Sequence, residues 1–279
     1  MDYHADRFDD FSIMIYDQHE KLIAVVPGNR QESTFYTHQG LTYGGIITLP
    51  DTSTKEHLQL NDAFNHYLKL NNIHKVVFKK IPYIYANQPI DEELYLLFRN
   101  HARMIGCNIS TTLALQQPFT LHRSRRSAIN KSKKQELEIC KNISWIAFWE
   151  LLTLNLKEKY GTFPVHSLDE ILKLHRLFPT NIHLYTAEKE NTCLGGVVIY
   201  ESPQVAHAQY MSVSAEGKAS CALDLILNHL ITEEFKHKNY FDFGSSTENQ
   251  GHFLNESLIF QKEGFGGKGV CYQIFEYDI

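Results

Sequence analysis

The sequence predicts an α/β protein, α+β in its arrangement, built from two related halves. Three observations carry this. Short apolar runs rich in β-branched and aromatic residues alternate with stretches whose apolar residues recur at helical spacing. The order strand, strand, helix, strand occurs twice. A chain of 279 residues is long enough for one large domain or two small ones. The two passages can be compared directly. Residues 58–80 read LQLNDAFNHYLKLNNIHKVVFKK, and residues 222–245 read ALDLILNHLITEEFKHKNYFDFGS. Each gives an apolar helix containing Asn-His, a short polar joint with His-Lys, then an aromatic-bearing strand. A repeat at so long a period points to a duplicated α/β unit rather than a solenoid.

From the start of the chain, Phe11–Tyr16 and Leu22–Pro27 are short apolar strands around the polar turn DQHEK. Phe35 to Leu49 is glycine-bearing. Leu58–Leu70 places Leu58, Leu60, Phe64, Tyr67 and Leu68 at helical spacing. Lys75–Lys80 is a β-branched strand, ended by Pro82. Asp91 to Met104 reads as a helix with Asp91 as N-cap and Gly106 as stop. Ile109–Ala114 is a further strand. A basic, serine-containing run follows, from His122 to Lys134, and divides the chain into residues 1–122 and 123–279. Ile146–Lys159 and Leu168–Phe178 read as helices. Ser167 with Glu170 three residues later has the form of a capping box. Strands are expected at Ile182–Glu188, Gly195–Tyr200, Val205–Val213, Tyr240–Phe243 and Val270–Tyr277, and a strong amphipathic helix at Ala222–Phe235.

Composition removes several classes. Apolar residues make up 43% of the chain, enough for a packed core, so general disorder is excluded. A net charge of -5 gives no overall attraction to nucleic acid or anionic membrane, and any basic site is local. No segment reaches the roughly 18 apolar residues of a membrane-spanning helix. The acidic start lacks the pattern of a signal peptide, which implies a cytoplasmic protein. The five cysteines are scattered and never form a CxxC pair, and the fifteen histidines show no ligand spacing. This argues against a disulfide framework and a metal site.

Four passages in the second half occur in a recognisable order: LGGVVIY (194–200), HAQYMSVSAEGKASCALDLIL (207–227), YFDFGSS (240–246) and FQKEGFGG (260–267). The first half supplies THQGLTYGGII (37–47). This ordered set resembles the FemAB-like branch of the GNAT acyltransferases, the group called acetyltransferase family six, over nearly the whole chain. The resemblance implies two tandem GNAT-like domains, each a mixed twisted sheet flanked by helices. It implies an N-acyltransferase that forms amides from acetyl-CoA, another acyl-CoA or aminoacyl-tRNA, with no metal. Acceptors implied are amines of amino sugars and of nucleotide-linked precursors of cell-surface glycans. The only nucleic-acid partner this admits is tRNA. A non-catalytic binding module on the same scaffold is the reading from a different class.

Typical GNAT enzymes hold the CoA pyrophosphate on backbone N–H groups of a Q/R-x-x-G-x-G/A loop at a helix N-terminus. The equivalent stretch here runs from Ser214 through Glu216, Gly217, Lys218 and Ala219 to Ser220, and keeps one glycine of that pattern. It is the candidate donor site, with an exposed β-to-α turn as the alternative. Acyl transfer to an amine needs a proton acceptor, an oxyanion partner and positioned phosphates. Lys262 is the candidate oxyanion or phosphate partner, or else a solvated lysine at a turn. Asp242 lies between two aromatics, where a buried carboxylate needs partners, and acts as base, orienter or turn cap. His207 is the candidate base, or a hydrogen-bonded structural residue. His38, Tyr43, Tyr210 and Glu248 are candidate substrate contacts. Arg123 and Arg126 open the basic run, which either clamps phosphates or forms a solvated helix face.

Overall fold

The structure is a computed structural model and describes residues 2–88 and 91–279. The chain divides into two compact units. The first comprises Met1–Ile109, Thr247–Leu254 and Val270–Ile279, and the second Ser110–Ser246 and Asn255–Gly269.

In the first unit the chain forms β1 (Asp9–Asp10), β2 (Ile13–Tyr16), β3 (Leu22–Val26), β4 (Asn29–Gln31), β5 (Thr34–Tyr36) and β6 (Ile47–Thr48). Helix α1 (Thr54–Leu70) then crosses over to β7 (Lys75–Lys79), which lies parallel to β5. α1 begins four residues before the apolar spacing suggests, because Ser53 and Glu56 form a capping box. Its inner face buries Leu60, Phe64 and Leu68 against Phe35, Val76 and Phe78.

Helix α2 (Glu92–Arg99) is shorter than the expected Asp91–Met104, and Asp91 makes no side-chain cap. The helix ends because His101 takes a left-handed backbone, φ 55°. The chain then extends at once into β8 (Arg103–Ala114), which absorbs both Met104 and the expected strand from Ile109.

The second unit contains α3 (Arg123–Ser132), β9 (Glu138–Lys141), α4 (Trp145–Tyr160), α5 (Leu168–Leu177), β10 (Ile182–Lys189), β11 (Thr192–Glu201) and β12 (Val205–Val213). The Ser167–Glu170 capping box that opens α5 is present. Two short helices follow, α6 (Ala215–Ser220) and α7 (Ala222–His229), then β13 (Tyr240–Ser245). α7 runs on through a π-helical turn, Leu230–Glu234. Residues 215–220 of the stretch expected as an open turn are therefore helical, with Ser214 as the N-cap. The hairpin β14 (Thr247–Glu248) with β15 (Phe253–Leu254) belongs to the first unit, α8 (Glu256–Glu263) to the second. β16 (Lys268–Asp278) closes the chain, and from Ile274 onward it pairs antiparallel with β7.

The sheet of the second unit has the order β8, β13, β12, β11, β10, β9. Its neighbours are antiparallel except β12 and β13, which run parallel because α6 and α7 connect them. Ile226, Leu227, Leu230 and Phe235 cover one face and pack with Val197, Ile199, Phe241 and Phe243. No helix among the described residues is long and apolar enough to cross a membrane.

Candidate functional site

The parallel pair β12–β13 is short. It joins Val205 to Tyr240, Ala206 to Phe241 and His207 to Asp242, and there it stops. β12 continues to Val213 with β11 on its other side only. The backbone groups of Ala208 onward that face β13 thus lie outside the ladder. On its far edge β13 slips register against β8, from Asp242–Thr112 to Ser245–Ser110. Gly244, at φ 78°, makes that bulge possible. Both irregularities meet at Asp242, where the ladder between β12 and β13 ends.

Asp242 is fully buried between Phe241 and Phe243, whose rings contact edge to face at 4.9 Å. Such a carboxylate needs partners on both oxygens. Oδ1 accepts from Thr112 Oγ1 at 3.0 Å, from Gly244 N at 3.3 Å and from Ser110 Oγ. Oδ2 lies 2.8 Å from His207 Nδ1. With Nδ1–H donating to the carboxylate, the lone pair of His207 is at Nε2. The His207 side chain keeps 17% of its surface exposed against 0% for Asp242, so the ring is the part of the pair that reaches outward.

Lys262 joins the same cluster from α8, whose first turn is capped by Asn255 on Leu258 N. Its ammonium donates to Gly244 O at 2.8 Å and Ser245 O at 2.7 Å. Both carbonyls lie at the register shift between Asp242 and Ser245. Burial pushes the Lys262 ammonium down to about 8, against the attraction of Asp242.

The donor stretch has a different geometry from the one its small residues suggest. Ser214 Oγ accepts from Gly217 N at 3.0 Å and so takes one of the N–H groups at the N-terminus of α6. Gly217 is buried. A Cβ there would lie 2.2 Å from Leu194 O, so this glycine serves close packing of α6 on β11. Ser220 Oγ points back to Glu216 O and Gly217 O. Glu216, Lys218 and Ala219 are exposed, with the Glu216 carboxylate in the first turn.

Tyr210, farther along β12, has its hydroxyl 2.6 Å from His166 Nδ1 and edges onto Trp149. Arg123 and Arg126 stand exposed on α3. The remaining expected contacts lie in the first unit. His38 is buried at φ 61°, and Gly40 N donates to its Nδ1 at 3.1 Å. Burial, with His4 and Lys79 nearby, holds its imidazole down at about 4. Lys79 Nζ donates to the carbonyls of His38, Gln39 and Leu41, which pins the same loop. Tyr43 packs on Tyr85 at 4.4 Å, and Glu248 is exposed on β14. The structure thus brings His207, Asp242 and Lys262 together in one cluster. Ser110 and Thr112 belong to it and are new. Their signal in the sequence is the run of three hydroxyl residues Ser110, Thr111 and Thr112, of which the first and third share one face of the strand.

No family model matches the sequence, and no curated protein matches it. Solved structures do. FemX matches with a TM-score of 0.69 at 10% identity, over 99% of this chain and 89% of that one. A conserved protein of unknown function from Bacteroides thetaiotaomicron gives 0.64 at 11% identity, over 99% and 88%. The C-terminal domain of a putative lysylphosphatidylglycerol synthetase from Agrobacterium fabrum gives 0.62 at 11%, over 95% and 83%. At such identities the likeness is one of fold. The chain shares the fold of FemX and of the C-terminal domain of that putative synthetase.

Proposed function

We propose that the protein is a cytoplasmic transferase that moves an acyl-type group from an activated carboxyl donor to an amine, with His207 as the base. The observation that carries this is the His207–Asp242 pair, seated where β12 and β13 part. The amine nitrogen attacks the donor carbonyl carbon as His207 Nε2 takes the amine proton. The tetrahedral oxyanion faces the unladdered backbone of β12. The leaving oxygen or sulfur then departs with a proton returned by His207.

The resemblance implies two donors, acyl-CoA and aminoacyl-tRNA. The geometry of α6 counts against the first and so favours the second. A CoA pyrophosphate would meet an N-terminus where Ser214 Oγ already takes the Gly217 N–H and the Glu216 carboxylate stands in the first turn. The acceptor in this reading is the amine of an amino sugar or a nucleotide-linked cell-surface precursor.

The test is thermal stability with acetyl-CoA, free CoA, aminoacyl-tRNA and uncharged tRNA, followed by transfer of a labelled aminoacyl group to a panel of sugar and peptide amines. A midpoint raised by charged tRNA and transfer lost in His207→Gln support the reading. A dose-dependent rise with acetyl-CoA alone returns the donor to acyl-CoA. Transfer undiminished in His207→Gln ends the proposal for this residue.

A further inference from the structure

Helix α3 breaks a rule that most helices keep. Its first turn holds Arg123, Arg125 and Arg126 and no acidic residue, at the end where the backbone dipole is already positive. Arg125 turns inward and pairs with Asp224 at 2.8 Å. At about 100° per residue, Arg123, Arg126, Ser127 and Asn130 share one face. Lys131 lies beside them, and Lys133 and Lys134 extend that face through the turn that follows. All of these are exposed, while Ile129 and Ser132 are buried on the opposite face. Arg123, Arg126, Lys131, Lys133 and Lys134 have no acidic partner among the described residues. In a chain of net charge -5, five unpaired cations therefore lie along one side of α3 and the turn that follows it.

Such an arrangement disfavours the helix by itself, and rule-breaking of this kind is expected where a ligand compensates. That stretch is about 17 Å long at 1.5 Å per residue. A nucleoside diphosphate meets one or two of these cations, whereas a chain of phosphates meets them all. The face carries no apolar residue, so it has nothing to insert into a lipid surface. It also lies next to the chemistry. His122 N donates to Gly264 O at 2.8 Å, and the Arg125 side chain packs on Gly264. Gly264 ends α8, whose Lys262 holds the bulge beside Asp242.

We propose that the exposed face of α3 docks the phosphodiester backbone of an RNA. This rests on the reading that the donor is an aminoacyl ester carried by RNA, and it names the surface that holds the carrier. Arg123 and Arg126 grip phosphates nearest the site, and the three lysines grip those farther along.

The probe is an uncharged RNA hairpin with a single-stranded 3′ end, labelled with fluorescein and followed by polarisation from 50 to 200 mM KCl. The variant carries Arg123→Ala, Arg126→Ala, Lys131→Ala, Lys133→Ala and Lys134→Ala. Its affinity is expected to fall more than tenfold at 100 mM salt. The slope of log affinity against log salt is expected to shrink by about four, near 0.7–0.9 for each phosphate no longer neutralised. A control with Lys157→Ala and Lys159→Ala, exposed on α4, is expected to bind as the parent does. Removing arginines from the first turn leaves α3 no less stable, so an unchanged thermal midpoint separates lost binding from lost folding. RNA binding equal in parent and α3 variant overturns the proposal. So does the pattern in which RNA fails to bind and only adsorption to phosphatidylglycerol vesicles is lost in the variant. If RNA binding is lost with α3 but charged RNA donates nothing, the docking face stands and the donor reading falls.

Discussion

His207 and Asp242 face each other across the last paired register of β12 and β13, with Nδ1 2.8 Å from Oδ2. Asp242 is reached by no solvent and His207 by a little, so their substitutions are expected to behave differently. His207→Gln is expected to fold normally and lose 10²–10⁴ of the transfer rate, about the contribution of a general base. Asp242→Asn loses rate too. Its amide can no longer accept from Ser110, Thr112 and His207 together, so stability falls by about 3 kcal/mol. Urea unfolding of both variants, beside their transfer rates, checks the contrast. Equal destabilisation of the two would show that the pair is only a structural fastening.

Lys262 supports this pair through the bulge, and its own ionisation should be visible. The folded protein holds its ammonium at about 8, below the ordinary 10.5, because it is buried. Between those values the unfolded chain binds more protons than the folded one. The contribution of Lys262 to stability therefore rises as pH increases from about 8 toward 10.5. Lys262→Met removes that rise and leaves the carbonyls of Gly244 and Ser245 unmet, with a loss of about 2 kcal/mol near pH 7. Denaturant midpoints at pH 7.5 and pH 10 are expected to converge for the variant relative to the parent. A variant that keeps the parental pH slope would assign the slope to Lys79, which burial also holds at about 8.

Much of this architecture was legible in the residues. The strands β10 to β13, the helix from Ala222 and the capping box at Ser167 follow from period and local chemistry, and the structure keeps them, whereas β9 carries no such signal. The boundary of α2 was not legible, because Asn100 and His101 carry no strong stop signal and Gly106 draws attention too far downstream. The character of 214–220 was hidden for a related reason. Glycine and small residues mark an open phosphate turn and a tightly packed helix equally well, and only Leu194 O above Gly217 decides between them. His207 and Asp242 were each recognisable as polar residues on apolar strands. Their pairing depends on a parallel register between β12 and β13. The roles of Ser110 and Thr112 depend on β8 arriving from over 100 residues away, a long-range fact that no local pattern encodes.

Glu93 is the clearest pH-dependent element of the first unit. Its Oε1 accepts from Ile46 N at 3.0 Å and its Oε2 from Ile81 N at 3.4 Å, and the side chain is buried. Burial pushes the carboxyl up to about 7, with Lys80 and the two backbone donors pulling the other way. From pH 4.5 to 7 the folded state binds the extra proton, so the contribution of Glu93 to stability falls as pH rises through that window. The full effect is as much as about 3 kcal/mol. Glu93→Gln cannot titrate. Its stability relative to the parent is expected to be higher at pH 8 than at pH 5, whatever its offset from losing one acceptor. Urea midpoints at the two values measure this, and a constant difference would place the raised carboxyl elsewhere.

Gly217 and Ser214 separate the two meanings of the stretch between β12 and α7. If α6 is a packing element with its own cap, Ser214→Ala loses about 1 kcal/mol through the missing bond to Gly217 N. Gly217→Ala loses more, because a methyl group 2.2 Å from a backbone oxygen forces α6 off β11. Neither change then alters binding of acetyl-CoA, and the milder variant, Ser214→Ala, keeps its affinity for charged tRNA. If the stretch is instead a pyrophosphate cradle, removing the Ser214 hydroxyl frees Gly217 N and acetyl-CoA binds more tightly. Calorimetric titration of parent and Ser214→Ala with acetyl-CoA decides it. Tighter binding in the variant would show that a functional cradle lies under a self-made cap. No binding in either would assign α6 to the scaffold and leave the donor to be held elsewhere on the second unit.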